Sequence, residues 1–92
     1  KIVTHVQNNG GVYSEWYAGI ASDPRQRMFI EHGVREVGGV WIFAPAINSE
    51  TARVAERHLI NALGTDGGPG GGDYTTNFVY AYKKAAHTRE SN

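Results

Sequence analysis

The chain has 92 residues, nine basic and nine acidic, and no cysteine. That is enough for one domain with one modest core. It leaves no disulfides or thiolate metal sites, and a formal net charge of zero argues against tight non-specific nucleic-acid binding by charge alone. No apolar run reaches the length of a membrane helix, so no membrane partner is expected.

Residues 2–6 (Ile-Val-Thr-His-Val) are mostly β-branched and read as a first strand. Gln7-Asn8-Asn9-Gly10-Gly11 then reads as a turn, its Asn-Gly step a hairpin signal. A second strand is predicted over 12–20. Period-2 alternation sets Tyr13, Glu15 and Tyr17 on one face and Val12, Ser14, Trp16 and Ala18 on the other. With aromatics on both faces, it is expected to be a central strand.

Ser22 or Asp23 caps the next helix, Pro24 suits its first turn, and Gly33 stops it after His32. Val40-Trp41-Ile42-Phe43 reads as a buried strand ended by Pro45. Asn48 or Ser49 caps a second helix over about 50–63. Residues 64–73 include six glycines and read as a mobile loop. It is not a phosphate-binding P-loop, because it follows a helix and lacks the Gly-Lys-Ser/Thr ending. A last strand is predicted over 76–83, with a short helix as the alternative, and 84–92 reads as a polar, frayed tail. The fold class is therefore α+β: a small, mostly antiparallel sheet of three or four strands flanked by helices, in the order β-β-α-β-α-β.

Three residues stand out chemically. Tyr17 lies where a strand runs into a helix, and Arg27 lies one turn into that helix. A phenol and a guanidinium at such a junction suit an anionic substrate such as phosphate. Glu56 shares a helical stripe with Ala52, Leu59, Ile60 and Leu63. A carboxylate there is costly to bury unpaired. Two readings stay open: a cleft residue holding a metal ion, or a rim residue paired with Arg53 or Arg57. Arg25, nearer the helix start, reads as exposed. His5, His32, His58 and His87 have no zinc spacing, although His32 ends the helix that carries Arg27.

Tyr17-Ala18-Gly19, Asp23-Pro24-Arg25-Gln26-Arg27 and Glu31-His32-Gly33 together resemble the second half of the GIY-YIG nuclease signature. Tyr17 to Arg27 has the ten-residue spacing between that family's second-strand tyrosine and its helix arginine. Ala55-Glu56-Arg57-His58-Leu59-Ile60 resembles the family's metal-glutamate helix, and Asn77 its late asparagine. The first motif departs from the pattern. Gly11-Val12-Tyr13 spells a similar triplet on Tyr17's own strand, and residues 2–6 hold no tyrosine.

The resemblance implies one nuclease domain over 1–83. It implies metal-dependent hydrolysis of DNA phosphodiesters, with Glu56 holding Mg²⁺ or Mn²⁺. Tyr17, Arg27 and His32 would be catalytic, and Arg25 and Asn77 would contact substrate. In the missing tyrosine's place, either His5 substitutes, Tyr13 reaches in, or the site is impaired. The impaired case is a module that binds nucleic acid or a protein partner without turnover. A third case is an unrelated α+β protein in which these residues form a structural network. A cytoplasmic location, and an added DNA-binding domain or homodimer for specificity, complete the expectation.

Overall fold

A computed structural model describes residues 1–68 and 75–90. Strands β1 (Trp16–Ala21), β2 (Trp41–Pro45) and β3 (Phe78–Lys83) form one antiparallel sheet in the order β1-β3-β2. Helix α1 (Ile2–Asn8), a wide π-type helix (Gln26–Glu31) and helix α2 (Ser49–Arg57) flank it. The chain continues from α2 into a second π-type turn, His58–Leu63, which Gly64 ends in a left-handed conformation. The α+β class with a small antiparallel sheet is as expected, and from Trp16 onward the order β-α-β-α-β matches.

The first segment differs. Residues 2–6 are helical, although Ile, Val and Thr favour strands. Ile2 and Val6, four apart, pack with Trp16, Ala81 and Ile42, while Val3 and Thr4 face outward. Tertiary packing of one stripe outweighs a weak local preference. The Asn9-Gly10-Gly11 segment is therefore no hairpin. Its amides close the end of α1, with Gly11 N–H donating to the Val6 carbonyl at 2.9 Å.

The second strand also starts later than expected, because Tyr13–Glu15 is a 3₁₀ turn. β1 is not central: it is an edge strand, and β3 lies between β1 and β2. β1 is nonetheless buried throughout. Asp66 covers part of its outer edge, accepting from Ala18 N–H at 2.9 Å and donating to the Trp16 carbonyl at 2.8 Å. Half of the expected mobile loop, residues 69–73, lies outside the described residues.

Each sheet face has its own core. Tyr17, Ala21, Tyr80 and Tyr82 pack with Met28 and Val34 on one side. Ala18, Ile20 and Val79 pack with Ala52 and Leu59 of the α2 segment on the other, beside the α1 cluster. Residues 84–90 of the expected frayed tail fold back against the π-type helix Gln26–Glu31 and His32, and residues 91–92 lie outside the described residues.

Candidate active site

Four separate elements line one cleft of about 210 Å³: β1 with Tyr17 and Gly19, β3 with Tyr80, the first π-type helix with Arg27 and His32 at its end, and α2 with Glu56. Cross-strand pairing sets Gly19 opposite Tyr80 and Tyr17 opposite Tyr82. The Tyr80 phenol lies directly over Gly19, so a Cβ at residue 19 would overlap the phenol ring and hydroxyl. Glycine here admits the tyrosine to the cleft.

Local backbone geometry explains why Arg27 and His32 line the same cleft. Asp23 caps the helix, its carboxylate accepting from Gln26 N–H at 3.1 Å. The helix then widens, and His32 N–H donates to the Arg27 carbonyl five residues back at 2.9 Å. The wider turn brings Arg27 and His32 toward the same side, and both line the cleft. In an ordinary α-helix they would diverge.

His32 is buried and bonded through both ring nitrogens. Nδ1 lies 2.6 Å from the Arg89 carbonyl, and Nε2 lies 3.0 Å from the Tyr80 hydroxyl. A carbonyl only accepts, so Nδ1 carries a proton. In the neutral ring, Nε2 is then the acceptor and Tyr80 the donor. Burial, above all, pushes the Tyr80 phenol well above its ordinary range, and the nearby Tyr17 adds to the effect. Burial also raises Tyr17, against the opposing pull of a Gly68 N–H bond and the Arg27 charge. Both phenols are therefore neutral at pH 7.

Arg27 is exposed and bonds Glu31 at 2.6 Å, four residues on. That bond is the main cause holding its guanidinium above the usual range. Glu56 is only 5% exposed. Burial raises its carboxyl, while the charges of Arg53 and Arg57 pull it back down. None of the ion pairs among the described residues involves it. No group of three or more metal-ligating side chains occurs among the described residues. The donor set nevertheless suits Mg²⁺, which keeps several waters and is commonly held by one or two carboxylates plus substrate phosphate.

The remaining expected site residues lie elsewhere. His5 packs edge-on against Trp16, on the sheet face away from Tyr17. Tyr13 packs with Val6, Trp16 and Ala81 on that same far face. The alternation that placed Tyr13 beside Tyr17 fails because Tyr13–Glu15 is a turn. Arg25 lies over Trp41 and Phe43 and pairs with Glu36 at 3.1 Å, outside the cleft. Asn77 extends the β2–β3 ladder, its carbonyl accepting from Ala46 N–H at 2.8 Å. The residue that sequence reasoning missed is Tyr80. The period-2 run Phe78-Val79-Tyr80-Ala81-Tyr82 signals a strand with two tyrosines on one face, but not which strand it will join.

No protein-family model, curated protein or solved structure matches the chain. Among the described residues, no helix is long and apolar enough to cross a membrane.

Proposed function

We propose that this chain is a divalent-metal-dependent endonuclease domain of GIY-YIG type acting on DNA, whose second tyrosine comes from its last strand. The observation that carries this reading is the convergence of Tyr17, Tyr80, Arg27, His32 and Glu56 on one cleft. Tyr80 stands beside Tyr17's strand, where the signature's first half had no counterpart near the N-terminus.

Glu56 would hold the ion, Mg²⁺ or Mn²⁺. When bound, it supplies positive charge against the scissile phosphate and the leaving oxygen. The chain's own residues do the rest. Tyr80 takes a proton from the attacking water while passing its own to His32 Nε2, so no free phenolate is needed. Tyr17 lines the same cleft, where its neutral hydroxyl would orient water or phosphate. Arg27, swinging from Glu31, stabilises the charge that builds on the phosphoryl oxygens. The neutral net charge leaves sequence specificity to an attached DNA-binding domain or a second copy.

A plasmid-cleavage assay with and without Mg²⁺ tests this, comparing the parent with Glu56→Ala and Tyr80→Phe. Cleavage by the parent alone supports it; equal cleavage by all three refutes it. The second reading, a module that binds without turnover, draws on the zero net charge and on the Arg27–Glu31 bond that occupies the guanidinium. It predicts salt-sensitive DNA binding and no nicking with any divalent ion.

A further inference from the structure

The segment after β3 turns back sharply. Thr88 Oγ1 donates to the Ala85 carbonyl at 2.8 Å and accepts from Ala85 N–H at 3.0 Å. The next two residues then hold the end of the π-type helix and strand β3. Arg89 N–H donates to the His32 carbonyl at 2.6 Å, and His32 Nδ1–H donates to the Arg89 carbonyl, also at 2.6 Å. The two residues thus exchange a pair of short bonds. The Arg89 guanidinium donates to the Ile30 carbonyl at 3.2 Å, and Glu90 accepts from the Tyr82 hydroxyl at 2.8 Å. Gly33 leaves room for this closure. It sits at φ +73°, and a Cβ there would stand 3.0 Å from the His87 carbonyl and 3.3 Å from the Arg89 guanidinium.

We propose that residues 87–90 are a positioning strap whose Arg89 carbonyl selects the tautomer of His32. A neutral histidine side chain in water prefers its proton on Nε2. In that form Nε2 would donate to Tyr80 and could take no proton from it. The strap reverses the preference: it holds the proton on Nδ1 and turns the Nε2 lone pair to the phenol. Glu90 and the guanidinium act through the main chain of Arg89, and neither side chain lines the cleft. The inference rests on the reading in which Tyr80 and His32 move a proton, but its first test does not need turnover.

The test is ¹⁵N–¹H long-range correlation spectroscopy of the histidine-labelled full chain, of a variant ending at Ala86, and of Tyr82→Phe. The full chain is expected to show His32 protonated on Nδ1 alone. The shortened variant is expected to shift toward the Nε2–H form, with circular dichroism unchanged. Tyr82→Phe, which loses only the Glu90 anchor, shifts the same way to a smaller degree, and it carries the test if the shortened chain does not fold. In the cleavage assay, kcat should fall by roughly ten- to a hundredfold in the shortened variant with KM unchanged, as expected for a misdirected proton acceptor. An Nδ1–H signature that persists in both variants overturns the strap. A tautomer shift in a chain that never cleaves DNA supports the strap and refutes the nuclease reading.

Discussion

The Tyr80 hydroxyl and His32 Nε2 meet at 3.0 Å across 48 positions of sequence. One sits on the central strand and the other just past a helix end. Tyr80→Phe removes that hydroxyl and nothing else. Cleavage is expected to fall by about 10²–10⁴-fold, the usual worth of a positioned acid–base group. Stability should drop by about 1–2 kcal/mol, because His32 Nε2 is left buried and unpaired. Single-turnover rates and thermal melts together check both.

Arg27→Ala separates catalysis from stability. Its pair with Glu31 is exposed and worth only about 0.3–0.5 kcal/mol. The melting temperature should scarcely move. Loss of a charge-stabilising donor should cost cleavage about 10²–10³-fold. A large fall in stability with activity retained would show the residue to be structural.

Gly19→Ala adds a single methyl group where the Tyr80 phenol already lies. The ring has to shift, at a cost of about 1–3 kcal/mol. In a domain of this size that lowers the melting temperature by roughly 4–8 °C per kcal/mol. Cleavage should fall with it. A crystal structure of the variant should show the phenol displaced from His32.

Glu56 gives a signed pH dependence. Its folded-state carboxyl lies above the ordinary 4.5 because of burial. The folded chain therefore holds that proton more tightly than the unfolded chain. The contribution of Glu56 to stability is full below pH 4.5 and is lost as pH rises through the raised folded value. Glu56→Gln should remove that decline and melt higher than the parent at pH 7, while cleaving nothing. Millimolar Mg²⁺ should raise the melting temperature of the parent and not of the variant. Denaturation scans across pH 4–8, with and without the ion, check each point.

His5→Ala and Tyr13→Phe serve as controls. Both residues lie on the far side of the sheet, so cleavage should stay within about twofold of the parent's. A loss beyond tenfold from either would mean that the cleft is not the reacting centre.

Tyr17, Arg27 and His32 were readable because a strand end and the helix that follows it are local in sequence. Glu56 was readable because one helical stripe is local too. Tyr80 was not, since its place depends on β3 inserting between two strands that come far earlier. The π-type widening that brings Arg27 and His32 toward the same side has no residue signature in the chain. Residues 2–6 misled because β-branched composition speaks for local preference, whereas Ile2 and Val6 answer to packing. The tail misled because its main-chain bonds to His32 leave no mark in polar composition.

The central position of β3 also bears on how the chain comes together. β1 and β2 pair with β3 and not with each other. On a ribosome, both must wait with open edges until residue 83 has emerged. No hairpin can form early to protect them, and every sheet contact closes a long loop. The cleft between β1 and β3 therefore cannot form before β3 is available, and a chain halted before Phe78 offers two aromatic-rich strands to any passing edge.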